Sequence, residues 1–318
     1  TEIYTLSLHD ALPICLFVDM KRFQWLWHQP ALLVTLTCLF WGGNTIAAKI
    51  AVDDITPYQV TFGRWGLLSI TLFLCYRRQI QAAWPKLRPY RIYLLLMPAI
   101  GFVVFGFLFY EAGHRTTAIN IGILQGSVPI FVLIGAFLLY RTRITWLQIL
   151  GVLVGFLGVV TVATGGLLGV MRGIQLNAGD LMMIGACLVW ASYTIGLKKR
   201  PAIPGLILFA VFCIPAAFVS APFAIFELAS GRAPWPTLTG CGVLLYTTVF
   251  PSFLAQLFFL RGVDLMGPGR TGMFVNLTPI FAALLAVGIL RETFRVYHAV
   301  ALVLVLAGLW LSRDRSFV

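Results

Sequence analysis

The sequence is poor in charged residues, which make up 11% of its 318 positions. Soluble domains carry roughly a quarter. The chain contains no Walker motif, no HExxH, no GxSxG and no CxxC pair. These absences argue against an ATPase, a zinc protease, a serine hydrolase and a redox dithiol within this chain. We therefore expect no catalytic residue, no metal site and no cofactor.

Apolar residues are abundant instead, at 60% of the chain with a mean hydropathy of +0.92. A bilayer core of roughly 30 Å needs about 20 apolar residues per crossing helix. Runs of that length recur throughout, so the sequence predicts an all-α membrane protein with about ten transmembrane helices. The expected spans cover residues 31–51, 57–76, 92–110, 117–140, 145–165, 178–197, 203–224, 238–260, 268–290 and 295–312.

The first residues are unlike the rest of the chain. The first methionine is Met20, and Lys21 and Arg22 follow it directly. The stretch from Thr1 to Cys15 resembles translated sequencing-adapter read-through, and the basic residues follow its apolar part, which is the wrong order for a signal peptide. We expect residues 1–19 to be an artefactual or disordered N-terminal extension and assign them no function.

The net charge of +12 is carried by short connectors between apolar runs. The basic residues form no aromatic-interleaved patch, so no nucleic-acid partner is expected. Cytoplasmic loops of membrane proteins retain Lys and Arg. Placing the N-terminus inside leaves only a few basic residues in outside loops, and this favours two cytoplasmic termini. The sparse outside set is Arg115, Arg172, Arg232, Arg291 and Arg295.

The chain repeats itself at an offset of 149 to 150 residues. Trp41 and Trp190 match, as do Pro129 and Pro279 within a shared Pro-Ile-Phe. The repeat predicts two five-helix halves, residues 30–165 and 178–312. Because five is odd, the second half must enter the membrane from the opposite side. Inverted repeats are typical of secondary transporters, in which the halves exchange conformations to open alternately to either side.

The first helix of each half carries an indole and small or polar residues. Trp41 and Asn44 occupy the first half, and Trp190 and Tyr193 the second. Both tryptophans lie near mid-span, which favours a cavity over an interfacial position. Each half also has a lysine eight residues after its tryptophan, Lys49 and Lys198, which either faces the cavity or snorkels to the headgroups.

Arg64 interrupts an otherwise apolar span. A guanidinium in a helix centre costs about 2.5–3.5 kcal/mol on insertion scales, so it should face a wet cavity. There it could bind a carboxylate of the substrate with two hydrogen bonds. The alternative is a pairing with Asp53, Asp54 or Glu111.

Polar amides precede the matching prolines of the two halves. Gln125 lies before Pro129, and Asn276 lies before Pro279. A proline inside a helix frees a carbonyl one turn earlier, so both positions predict helix kinks beside a midplane binding site. A packing kink with an interhelical amide bond is equally compatible. Gln256 in the eighth span belongs to the same class.

Other titratable residues lie at span ends. Glu292 follows the ninth span, where helix capping or pairing with Arg295 is the favoured interpretation. Its equivalent in the first half is Thr142. Proton coupling has no obvious carrier apart from Glu111 and Asp180, and we expect His114 and His298 to be solvated. The GxxxG pattern at Gly151 and Gly155 predicts a seat for a neighbouring helix.

Taken together, the Trp41-Gly-Gly-Asn44 start, Arg64, the Asn276-Leu-Thr-Pro279 motif and the turn at Glu292 resemble the EamA-type transporters of the drug/metabolite transporter superfamily. That resemblance implies ten helices in two inverted repeats and a bacterial inner-membrane carrier of amino acids, metabolites or drugs. The family usually has an acid after the fourth helix of each half. Glu292 matches that pattern, and Thr142 departs from it.

We therefore expect a secondary transporter, an exporter or exchanger of small metabolites such as amino acids or organic anions. The expected cavity is lined by the first four helices of each half, with substrate contacts from Trp41, Asn44, Arg64, Gln125, Trp190, Tyr193, Gln256 and Asn276. The partners are the small-molecule substrate and the lipid bilayer, and the oligomeric state stays open, with a homodimer as one alternative. The other class considered is a non-transporting membrane sensor or assembly subunit.

Overall fold

A computed structural model describes residues 25–141, 144–166, 177–231 and 233–312. The described residues form helices and contain no strand. Eight helical stretches are long and apolar enough to cross a membrane, and the helix Val296–Ser312 is a shorter apolar one. One of the eight, Pro57–Arg115, has 59 residues. At about 1.5 Å per residue it is far too long for one crossing, so it supplies two spans.

The described residues therefore contain ten spans, which agrees with the predicted all-α membrane architecture. The predicted extension at residues 1–19 and the position of Thr142 lie outside the described residues. In chain order these spans are Pro30–Ile50, Pro57–Leu87, 91–115, Ala118–Tyr140, Trp146–Ala163, Ala178–Gly196, Gly205–Ala229, Leu238–Met266, 268–290 and Val296–Ser312.

The second span is longer than its apolar run. It begins at a capping box, in which Thr56 accepts from the backbone N–H of Gln59 and the Gln59 side chain accepts from Thr56. It continues past the predicted end at residue 76 to Leu87, with a bend at Tyr76. The added turns are rich in charged and polar residues, so hydropathy alone placed the end too early.

The third and eighth spans each contain a π-helical segment, at Ala99–Val104 and Thr248–Leu254. These segments lie at matching positions of the two halves. The fourth and ninth spans are interrupted instead. The fourth divides into Ala118–Gln125 and Val128–Tyr140, and the ninth divides at Asn276. Pro129 and Pro279, at which we predicted kinks, lie in the first turn after each interruption.

The halves exchange their first helices. The first span packs against the eighth and ninth spans, and the sixth packs against the third and fourth. Two groups result, one of spans 1, 8 and 9 and one of spans 6, 3 and 4. The second span packs against the seventh, and the fifth against the tenth. This arrangement is symmetric, as expected for two inverted copies of one five-helix unit.

The fifth and tenth spans approach closely through glycines. A Cβ added at Gly308 would lie 2.6 Å from the carbonyl oxygen of Gly151 and 2.7 Å from the Cα of Gly155. The predicted GxxxG seat is thus occupied by the tenth span. Large apolar side chains remain on the outward faces of the bundle, such as Trp146 and Val303, where the bilayer would cover them.

Hydrogen bonds identify the two ends of the bundle. At one end, Thr237 donates its N–H to the Asp54 carbonyl and Ala118 donates to Glu292. At the other end, Tyr93 donates to the carbonyl of Gly196. Consecutive spans therefore alternate in direction. We call the end with Asp54 and Glu292 the outer end and the end with Tyr93 and Gly196 the inner end, following the orientation favoured by the basic residues.

Candidate substrate-binding site

A central cavity of about 150 Å³ lies between the two groups of helices. A cavity of about that volume holds a molecule the size of benzene, so a compact metabolite or part of a larger one fits. The first four spans of each half contribute to its walls, as predicted. The lining residues are Trp41, Asn44, Arg64, Trp65, Gly101, Phe102, Phe105, Gln125, Gly126, Val128, Pro129, Trp190, Phe209, Pro251, Ser252, Gln256, Val275, Asn276, Thr278 and Pro279.

Equivalent positions of the two repeats meet in this cavity. Trp41 and Trp190 both line it, as do Pro129 and Pro279. Gly126 and Asn276, which match at an offset of 150 residues, face it from the two interrupted spans. The approximate two-fold axis that relates the halves therefore passes through the cavity, where inverted-repeat transporters bind their solutes.

Arg64 breaks that symmetry. It is buried, with 5% of its surface exposed, and it is the one charged side chain among the described residues that line the cavity. Its Nη1 donates to the Tyr110 hydroxyl at 2.9 Å, and that hydroxyl donates to Asn44 Oδ1 at 3.0 Å. The guanidinium also lies 4.5 Å from the Trp65 ring centroid, in a cation–π contact.

The guanidinium keeps unused hydrogen-bonding capacity. Its Nε is buried and has no acceptor within the described protein. The acid pairings considered above are not formed: Glu111 pairs with Arg115 at 2.8 Å, and Asp54 accepts from the Thr237 hydroxyl. A buried cation without an opposite charge is costly, and an anionic group entering the cavity would relieve that cost.

The polar amides lie around the same space. The Oε1 of Gln125 is buried without a hydrogen-bond donor in the described protein. Gln256 and Asn276 line the cavity from the second half. The Nε1 of Trp41 donates to the carbonyl of Pro251 at 3.2 Å, within the π-helical segment of the eighth span. That bond fixes the indole, which also lies 5.5 Å from the ring of Phe259.

Tyr193 is the exception among the predicted contacts, because it does not line the cavity. Its ring lies directly against Gly101, where a Cβ would collide with it, and 5.5 Å from the ring of Phe102. Gly101 and Phe102 thus separate it from the solute space. The sixth helix turns Trp190 toward the cavity, and Tyr193, three residues later, fits the gap left by the glycine.

The two lysines have other positions. Lys49 donates from Nζ to the carbonyls of Gly113 at 2.8 Å and Thr116 at 3.0 Å. Lys198 is exposed, and its Nζ lies 4.1 Å from the centroid of the Tyr140 ring. Neither lysine lines the cavity.

Tyr110, Trp65 and Phe102 are site residues that the sequence did not single out. Tyr110 joins Arg64 to Asn44, and Trp65 stacks on Phe102 at 4.3 Å. Aromatic residues are common throughout this chain, so nothing in the linear pattern distinguishes these three from lipid-facing ones.

The acidic residues at the outer end form hydrogen bonds with the first half. Glu292 accepts from the backbone N–H groups of Ala118 at 2.8 Å and Ile119 at 3.0 Å, so it caps a helix, although in the other half of the chain. Asp180 is buried and accepts from Thr116 and Asn120.

His114 is exposed, whereas His298 is 2% exposed, so the expectation of a solvated residue was wrong for the latter. Its Nδ1 accepts from the backbone N–H of Arg295 at 3.0 Å. That local bond lets the ring lie inside the start of the tenth span.

Comparison with known proteins agrees with this architecture. The model of the EamA-like transporter family matches the chain twice, at residues 29–164 and 177–313. The chain belongs to this family. An uncharacterized transporter of Bacillus subtilis (strain 168), YetK, is 26% identical over 274 residues, covering 85% of this chain and 82% of the relative.

An uncharacterized transporter of Archaeoglobus fulgidus is 26% identical over 287 residues, which cover 90% of this chain and 97% of that relative. A crystal structure superposes with a TM-score of 0.58 at 18% identity, covering 89% of this chain and 95% of that one. At that identity the likeness shows the fold alone. The family match and the apolar helices together make the chain a multi-pass membrane transporter, and the relatives too are named as transporters.

Proposed function

We propose that this chain is a secondary transporter that works by alternating access and carries a small metabolite with a carboxylate, such as an amino acid or organic anion. The observation that carries this proposal is the buried Arg64, which points into the cavity without an acidic partner among the described residues. A substrate carboxylate would supply the missing charge, and the guanidinium would bind it with paired hydrogen bonds.

The rest of the cavity suits the remainder of such a molecule. Trp41, Phe102 and Trp190 offer apolar faces, while Gln125 and Asn276 offer amide oxygens and N–H groups. A carboxylate at Arg64 and an amino or hydroxyl group at the amides would bind an amino acid from both sides. Binding at the symmetry axis lets each half move about a fixed substrate, so the cavity opens first to one side and then to the other.

We place the protein in the inner (cytoplasmic) membrane of a bacterium, with both termini in the cytoplasm and export or exchange as the direction. The support is the concentration of Lys and Arg in connectors of one end of the bundle. Small metabolites accumulate in the cytoplasm, and an exchanger or exporter needs a site reachable from there.

Counterflow in proteoliposomes tests the proposal. Proteoliposomes that contain the purified protein, beginning at Met20, are loaded with one unlabelled amino acid or organic anion. Entry of the same solute in labelled form is then followed without a pH gradient. Saturable uptake that depends on the loaded solute is expected. The same assay with imposed pH gradients identifies any coupling to protons. Absence of flux for every solute, in protein shown to be folded, would favour the sensor or assembly-subunit interpretation.

A further inference from the structure

The outer end of the bundle joins the two helix groups through two charged side chains. Lys49, at the end of the first span, donates to the last carbonyls of the third span. Glu292, after the ninth span, accepts from the first amides of the fourth span. Both charged residues belong to the group of spans 1, 8 and 9, and both of their targets belong to the group of spans 6, 3 and 4.

The signs of the charges suit their targets. The carboxyl end of a helix carries partial negative charge and the amino end partial positive charge. Lys49 meets the carbonyls of Gly113 and Thr116, and Glu292 meets the N–H groups of Ala118 and Ile119. A cation and an anion from one group thus bind the two helix ends of one connector in the other.

The connector between the third and fourth spans makes further contacts within the bundle. Asp180 of the sixth span accepts from the hydroxyl of Thr116 at 2.5 Å and from the amide of Asn120 at 3.2 Å. Gly113 lies against the end of the first span, where a Cβ would come within 2.7 Å of the Ala48 carbonyl oxygen. Displacing this connector from Lys49 and Glu292 therefore requires the two helix groups to separate.

The inner end differs. The repeat equivalent of Lys49 is Lys198, and the equivalent of Gly113 is Gly262 at the same offset of 149. Lys198 lies over the ring of Tyr140, a residue of its own helix group. In an inverted-repeat carrier the two ends exchange their states, so the bond that closes one end should be broken at the other.

We propose that Lys49 and Glu292 form a latch that closes the outer end of this transporter, and that their release opens the cavity to that side. The proposal rests on the alternating-access function above. When the outer end opens and the inner end closes, Lys198 takes the corresponding position on the carbonyls near Gly262. Lys49 and Glu292 are then positioning residues, since neither lines the cavity.

Distance measurement between spin labels tests the latch without any solute. Labels are placed at His114→Cys and Leu238→Cys, two exposed outer-end positions in different helix groups, after the native cysteines are replaced. The protein is studied in lipid nanodiscs. Glu292→Gln and Lys49→Gln should each raise the ratio of long to short distances by roughly tenfold, since each removes a charged hydrogen bond that joins the groups.

Glu111→Gln is the matched control. It removes a carboxylate from the same end, but one that pairs with Arg115 four residues along the same helix. Its distances should equal those of the parent. Distances unchanged in both Glu292→Gln and Lys49→Gln, or changed equally in the control, would overturn the latch. Counterflow by the same proteins separates the two proposals, because the distances can shift in a protein that moves no solute and can stay fixed in one that does.

Discussion

At the scale of single residues, the cavity contains the guanidinium of Arg64, which has no acidic partner among the described residues. Replacing Arg64 by Gln should remove carboxylate binding, and replacing it by Lys should keep the charge but lose the planar pair of donors. We expect the half-saturating concentration in counterflow to rise by roughly 10- to 100-fold in Arg64→Lys, with a greater loss in Arg64→Gln. Normal membrane yield is the control for folding. Kinetics equal to the parent in both variants would exclude Arg64 from the site.

Gln125 should distinguish between the two substrate classes. Its buried Oε1 lacks a donor, and an amino group of the substrate would supply one. Gln125→Leu should weaken binding of an amino acid by roughly 5- to 10-fold and leave the corresponding acid without the amino group unaffected. Competition of each compound with the labelled solute in counterflow measures the ratio of the two affinities. Equal weakening of both would mean that Gln125 contacts another part of the substrate.

The residue scale also shows where the sequence was informative. Arg64, Gln125 and Asn276 stood out because polar groups are rare within apolar spans, and rarity there signals function. Tyr110 did not stand out in this way, and Tyr193, which we expected at the cavity, packs against Gly101 instead. Their positions depend on which helices face each other, and in the case of Tyr193 on the space left by Gly101 in a neighbouring span.

At the scale of elements, the close contact of the fifth and tenth spans should be sensitive to a single methyl group. A Cβ at Gly308 would meet backbone atoms of Gly151 and Gly155, which cannot rotate away. We expect Gly308→Ala to lower the free energy of unfolding by about 1–3 kcal/mol. Gly288→Ala is the control, because a Cβ there meets nothing within 4 Å. The SDS midpoint of unfolding in mixed micelles is measured for both variants. Equal midpoints would contradict the close packing of the fifth and tenth spans.

Hydropathy predicted the existence and order of all ten spans, since crossing a bilayer demands a length of apolar helix. It missed the end of the second span at Leu87 and the π-helical segments. The second span continues to Leu87 as a helix whose polar residues lie beyond the apolar core of the bilayer. The π-helical segments have the composition of an ordinary α-helix, so only the hydrogen-bond pattern of the backbone distinguishes them.

At the scale of the whole molecule, two exposed connectors allow the orientation of the protein in the membrane to be measured. Trp235 lies at the outer end and Arg200 at the inner end. In intact cells, a membrane-impermeant maleimide should label Trp235→Cys, and Arg200→Cys should react only after permeabilisation. Both variants need a background without the native cysteines. The opposite pattern would reverse the orientation, and with it the side that the latch closes.

The π-helical segments also bear on the direction in which later side chains point. A single residue inserted into an α-helix widens one turn into a π-helix, and everything beyond it is rotated by about 100°. Ala99–Val104 and Thr248–Leu254 occupy matching places in both repeats. Each half therefore contains the same widened turn, and the residues that follow it face a direction that a regular α-helix would not give them. Gln256, two residues after the second segment, lines the cavity from such a position.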